Sequence, residues 1–260
     1  MSFMYERNSF VKIEKESTIW RSKKSIPTRE RLIFALDNIS SLDEAKQLIS
    51  TLGDSVEFYK LGLELFVGGH YFYLLEYLQS KQKKSFVDLK FFDVPETVGN
   101  AVRQLKGRNA NFVTVHGNDN ILEAACKHKS GTKILAVTVL TSLNDADIKD
   151  LGFHDVNVEE LVLSRARRAI EIGCDGVISS GLEAPRLRDN LGDNFLIVCP
   201  GIRPVKNENI DDDQKRTVDV ETAFNNGADY IVVGRPIRLA KEPRQAAEDI
   251  QRRIAKIFGN

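Results

Sequence analysis

The feature that most constrains this chain is a rhythm: short apolar runs rich in β-branched residues recur eight times, separated by segments of helical period. The runs are RLIFALD at 31–37, VEFYKLG at 56–62, SFVDLK at 85–90, NFVTVH at 111–116, KILAVTVL at 133–140, CDGVISS at 174–180, FLIVCPG at 195–201 and DYIVVGR at 229–235. Such alternation is the pattern of repeated βα units around a parallel sheet. Helix ends are legible too. Asn157, with Glu160 three residues on, opens a run carrying Leu161, Val162, Ala166, Ala169 and Ile170 that stops at Gly173. The final helix follows Pro243 and places Ala246, Ile250, Ile254 and Ile257 on one apolar stripe. Eight such units in 260 residues, with no break in composition, predict one α/β domain, a (β/α)8 TIM barrel over 31–260. Two smaller domains fit the length alone, and an open doubly wound sheet fits the alternation less well.

Residues 1–30 are polar and are expected to form an N-terminal extension, a solvated or partly ordered arm. They lack the apolar core of a secretory signal and contain Glu6, Glu14, Glu16 and Glu30, which argues against a transit peptide. No apolar run approaches the ~20 residues that span a bilayer. Cys126, Cys174 and Cys199 are odd in number, far apart in sequence and set among apolar residues, so they read as buried thiols in a reducing compartment. A cytoplasmic location is expected. The 37 basic and 37 acidic residues cancel, so no global field draws the chain to nucleic acid or to a membrane surface. Any anionic ligand must be held by a local site.

Charged residues gather where strands end. Asp37 closes the first run, Lys60 lies near the end of the second, and Asp88 and Lys90 close the third. Ligands of parallel α/β sheets bind at those carboxyl ends. Because strand side chains alternate, Asp88 and Lys90 share a face with Phe86, while Val87, Leu89 and Phe91 face the helices. Both charges therefore point into the barrel mouth. A lone Asp-x-Lys could equally be an ion pair that satisfies itself.

The longer string changes that balance. Asp88-Leu89-Lys90-Phe91-Phe92-Asp93-Val94-Pro95-Glu96-Thr97 resembles the D-x-K-x-x-D-[IV]-P-x-T signature of orotidine 5'-phosphate decarboxylases. The resemblance runs from about Arg31 to the C-terminus through Asp37, Lys60, Val139-Leu140-Thr141-Ser142, Pro200-Gly201-Ile202-Arg203-Pro204, Gln214 and Val233-Gly234-Arg235-Pro236. Two positions depart from it: Phe92 stands where many members have His, and Glu96 where Asn is common.

The resemblance implies decarboxylation of orotidine 5'-monophosphate to uridine 5'-monophosphate, without cofactor or metal. Lys60, Asp88, Lys90 and Asp93 would form the catalytic charge chain, with Lys90 delivering a proton to C6 of the pyrimidine. Asp37 and Lys60 would orient the ribose, Thr141 would touch the base, and Pro200 would border the substrate. Asp93 and Thr97 would reach the site of a neighbouring subunit, which makes a homodimer the smallest complete catalyst.

Phosphate can be placed separately, since barrels often hold it in the loops after strands 7 and 8. Those loops supply Arg203, Gly234 and Arg235, an arginine offering paired charged donors and a glycine allowing close backbone approach. The polar stretch Val205 to Thr217 is expected to be a lid that closes over phosphate through Gln214. His116 is expected to fill the mouth rather than touch substrate. Two other readings compete: a magnesium-dependent sugar-phosphate decarboxylase or hexulose-phosphate synthase of the same barrel group, and a catalytically silent phosphate-binding barrel.

Overall fold

The computed structural model describes residues 19–204 and 216–259. Its eight strands are all parallel and close in sequence order. They are β1 (Leu32–Ala35), β2 (Phe58–Leu61), β3 (Lys84–Phe91), β4 (Ala110–Val115), β5 (Lys133–Val137), β6 (Gly176–Ile178), β7 (Leu196–Cys199) and β8 (Tyr230–Val233). Pairing of β1 with both β2 and β8 completes the ring, so the open doubly wound sheet is set aside.

Helices cover the outside. Between β1 and β2 lies α1 (Leu42–Leu52); α2 (Leu63–Val67) and α3 (Tyr71–Ser80) precede β3, α4 (Pro95–Arg103) precedes β4, and α5 (Asp119–Lys127) precedes β5. Then come α6 (Asp145–Asp150), α7 (Val158–Ile172), α8 (Ala184–Leu191), α9 (Val220–Asn225), α10 (Arg235–Arg238) and α11 (Pro243–Phe258). The expected ends of α7 hold. The Asn157 side chain accepts from the Glu160 N–H, and Gly173 adopts the left-handed conformation that glycine tolerates best. In α11 the buried stripe is Ala247, Ile250, Ile254 and Ile257, so Ala246 is replaced by its neighbour in the first turn. Fully burying an isoleucine such as Ile250 or Ile254 contributes about 1.5–3 kcal/mol, which is what holds this helix to the barrel. Among the described residues, no helix is long and apolar enough to cross a membrane.

Alternation along the strands separates two apolar clusters. The inner one contains Ile33, Phe58, Phe86, Phe112, Leu135, Val198 and Tyr230, and Phe112 stacks edge-on against Tyr230 at 5.1 Å between centroids. This fill makes the barrel interior a solid floor beneath the mouth. The outer cluster takes Val87, with Leu89 and Phe91 packed at its margin, as the alternation of β3 requires.

Of the expected solvated or partly ordered arm, residues 1–18 lie outside the described residues, and residues 19–31 form an ordered strap across the bottom of the barrel. Its Trp20 N–H donates to the Asn225 carbonyl at 2.7 Å, Ser22 Oγ donates to Asp229, and the Arg31 guanidinium lies 3.8 Å over the Phe258 ring. The strap is tied by groups more than 200 residues away, such as Asp229 and Phe258, which no local pattern can announce. The three cysteines are free thiols as expected, Cys174 and Cys199 buried and Cys126 partly so, and two of them that are far apart in sequence, Cys126 and Cys174, meet at 3.6 Å where α5 packs against the start of β6.

Candidate active site

The mouth opens above the aromatic floor as a cavity of about 750 Å³. On one wall, the ends of β1, β2 and β3 bring four charges into a line. Lys60 Nζ lies 3.1 Å from Asp37 Oδ1 and 3.3 Å from Asp88 Oδ2, and Lys90 Nζ lies 2.9 Å from Asp88 Oδ1. All four side chains line the cavity.

Burial works to lower the Lys60 pKa, but the Asp88 and Asp37 charges outweigh it and raise it above the ordinary lysine value. Burial likewise works to raise Asp88, yet Lys60, Lys90 and the Thr114 hydroxyl hold it below the ordinary carboxylate value. Lys60 and Asp88, at the centre of the line, therefore both stay charged across the neutral range. Lys90 itself is unusual: its backbone is left-handed, φ 48°, where the register between β3 and β4 shifts. A non-glycine residue there costs about 1–3 kcal/mol. Thr114 offsets this by accepting the Lys90 N–H at 2.9 Å while donating to Asp88 Oδ1 at 2.9 Å. One hydroxyl thus fixes both the bent backbone and the carboxylate.

The rest of the rim comes from β5 and β7, across the ring, and from β8, which pairs with β1. Thr141, Pro200 and Arg203 line it, as do Gly234 and Arg235 at the start of α10. A Cβ on Gly234 would come within 3.1 Å of the Ala35 side chain, so glycine keeps β1 and β8 close at the rim. Arg238, which the sequence reading did not single out, and Ser142, quoted there only within its motif and given no role, also line the cavity. Arg238 had a readable signal, since it follows Arg235 by three residues on a helix and so shares its side.

Asp93 and Thr97 are exposed, and this chain does not bring them into its own cavity. Asp93 Oδ1 accepts from the Val94 N–H at 2.6 Å. Around them, Phe92 is 68 % exposed and Val94 61 %, and Leu63 and Val67 at the neighbouring β2 end are 58 % and 83 % exposed. Gln214, and most of the expected lid, lie outside the described residues. His116 does not line the cavity; its ring packs edge-on against Phe92 at 5.3 Å. Burial, then Arg165 and Lys90, lower its pKa.

Comparison with known proteins agrees with this geometry. Residues 30–250 match the model of the Orotidine 5'-phosphate decarboxylase / HUMPS family. The chain belongs to this family. An orotidine 5'-phosphate decarboxylase of Methylococcus capsulatus is 59% identical over 237 residues, covering 91% of this chain and 97% of the relative. One from Xanthomonas axonopodis pv. citri is 48% identical over 236 residues, 90% of this chain and 96% of the relative. The crystal structure of orotidine 5'-phosphate decarboxylase from Lactobacillus acidophilus superposes with a TM-score of 0.75 at 36% identity, covering 86% of this chain and 99% of that one. The family match begins at residue 30, so the first part of the strap precedes it.

Proposed function

We propose that this chain decarboxylates orotidine 5'-monophosphate to uridine 5'-monophosphate and CO2 in de novo pyrimidine biosynthesis, as a cofactor-independent cytoplasmic homodimer. The observation that carries the reading is the line Asp37–Lys60–Asp88–Lys90 in a cavity that Arg203 and Arg235, from the chain after β7 and β8, also line. The arginines suit a phosphate and the lysine–aspartate line suits the orotate end, so one substrate bridges the mouth.

In the reaction the C6–carboxylate bond breaks, CO2 departs, and the electron pair stays on C6. The Lys90 ammonium stabilises that carbanion and transfers its proton to C6, then regains one from solvent. Asp88 faces the departing carboxylate. Two like charges ~4 Å apart repel by roughly 4 kcal/mol at an effective dielectric of 20. Enzymes generally supply about 8–23 kcal/mol, so repulsion is the smaller part and carbanion stabilisation, with binding energy from the phosphate, the larger. Asp37 and Lys60 orient the ribose, Thr141 and Pro200 flank the pyrimidine, and Gly234, Arg235, Arg203 and Gln214 take the phosphate.

Support for the dimer is the exposure of four apolar side chains after the neighbouring strands β2 and β3: Leu63 and Val67, and Phe92 and Val94 flanking the exposed Asp93. Closing these side chains against a second copy presents Asp93 and Thr97 to the partner's cavity. Against a magnesium-dependent relative, the Asp37 and Asp88 carboxylates are engaged by lysine ammoniums rather than gathered for a cation. Free thiols suit a reducing cytoplasm. The test is the absorbance of orotidine monophosphate with purified protein in a chelator: its decay with release of CO2 is expected, and an unchanged spectrum sinks the proposal.

A further inference from the structure

Behind the far wall of the cavity lies an ion pair that sequence reading passed over. Glu183, in the turn between β6 and α8, and Arg216, just before α9, are joined through Glu183 Oε1 and Arg216 Nη1, with side chains only 6% and 11% exposed. Neither lines the cavity. Each is nonetheless wired to a part of the wall.

Arg216 Nη2 donates to the Leu140 carbonyl at 2.9 Å and to the Val139 carbonyl at 3.2 Å. Those carbonyls immediately precede Thr141, on the pyrimidine side. Two residues beyond Arg216, Val218 pairs with the chain after β7: its carbonyl accepts the Arg203 N–H at 2.9 Å, and its N–H donates to the Gly201 carbonyl at 3.3 Å. That pairing fixes the backbone from which Arg203 reaches the cavity. Glu183 anchors the assembly to the barrel, because its Oε2 accepts the Ser180 N–H at 2.8 Å and the Ser179 hydroxyl at 3.2 Å. Ser180 Oγ in turn donates to the Arg216 carbonyl at 3.3 Å. Gly181 lets the layers touch, since a Cβ there would lie 2.5 Å from Val218.

Only arginine fits this place. A guanidinium can meet a carboxylate with one nitrogen and two carbonyls with another in fixed directions, which an ammonium cannot do at once. We propose that Glu183 and Arg216 are positioning residues for substrate recognition, holding the Thr141 loop and the Arg203 loop at the separation that one nucleotide monophosphate spans. The pair makes no contact with the Lys60, Asp88 and Lys90 line, so it acts on binding and leaves the proton transfer alone.

The inference rests on the decarboxylase reading and separates from it by experiment. Glu183→Gln keeps the shape but removes the charge, and Arg216→Lys keeps the charge but loses the fork. Steady-state assays on each, beside thermal melts and calorimetric binding of uridine monophosphate, are expected to show KM and Kd raised about tenfold or more with kcat within about threefold of the parent. A purely structural role would instead lower the melting temperature and the active fraction while leaving KM and Kd in place. If one variant fails to fold, the other decides. An active parent with KM and Kd unchanged in a folded variant overturns the inference alone. A parent that leaves orotidine monophosphate intact overturns the decarboxylase reading and this inference with it.

Discussion

Each end of the barrel buries a carboxylate among cations, and the two clusters behave as opposites. At the bottom, Asp229 is fully buried and saturated: it accepts from Ser22 Oγ, Lys24 Nζ, Arg188 Nη2 and the Ile197 N–H. Arg188 spends its other donors on the Gly227, Phe195 and Gly192 carbonyls. At the mouth, Asp88 is held by two lysines and a threonine, and the Lys90 side chain is 37% exposed toward the cavity. Lys24, sharing one carboxylate with Arg188, has its pKa lowered, with burial the largest cause; Lys60, set between two carboxylates, has its raised. Charge content does not tell a strut from a site. What distinguishes them is whether every donor is committed to a rigid fork and to backbone, or whether an ammonium is left facing open space.

Lys90→Ala should break the mouth cluster functionally and spare the fold. We expect turnover to fall on the order of 10⁴-fold or more, since proton donor and counter-charge go together, while uridine monophosphate still binds and the melting temperature holds. Near-normal turnover would remove Lys90 from the chemistry. Asp229→Ala should do the reverse, leaving Arg188 and Lys24 unpaired in the interior at a cost of about 3–5 kcal/mol. That is roughly a 10 °C drop in melting temperature for a domain of this size, with kcat/KM of the folded fraction within about twofold. A variant that melts normally but works poorly would erase the contrast.

A smaller, sharper effect concerns Asp93. Lys90→Ala and Asp93→Ala homodimers should each be nearly inactive, one lacking the donor and the other the borrowed carboxylate. After dissociation and mixing, half the dimers are hybrids with one intact site of two, so about a quarter of parental activity should return. Verified hybrids that stay inactive would show that Asp93 serves its own chain.

The smallest effect is in pH. Asp88, lowered, contributes stability that is lost only as pH falls through a value below the ordinary 3.8, and Lys60, raised, contributes stability lost only as pH rises beyond the ordinary 10.5. Neither gives a slope near neutrality. His116, lowered from 6.5, takes up its proton in the unfolded chain first, so its contribution is present above about pH 6.5 and fades as pH falls through the folded value. His116→Phe should flatten the decline in melting temperature below pH 6.5; an unchanged limb would assign that decline to other groups.

How much of this was legible follows from the range of each interaction. Asp37, Lys60, Asp88 and Lys90 could be placed because strand alternation and the strand-end rule are local, and the barrel merely repeats them. The left-handed turn at Lys90 could not, because it depends on Thr114 on the adjacent strand. Glu183 and Arg216 are 33 residues apart with no shared period, and the strap's partners lie near the opposite terminus. Asp93 shows a further limit: its sequence context marks it as important, yet one chain gives it no place in its own cavity.

The strap also sets a schedule. Ser22 meets a partner 207 residues downstream, and β1 remains an unpaired edge until β8 arrives beside it. At ribosomal speeds of about 5–20 residues per second, the interval is roughly 10 to 40 s. During synthesis the growing chain can therefore pair neighbouring strands but cannot seal the ring. Gly234 and Arg235 leave the ribosome directly after the strand that seals it, so the phosphate wall and the knot at the bottom of the barrel are completed in the same late moment.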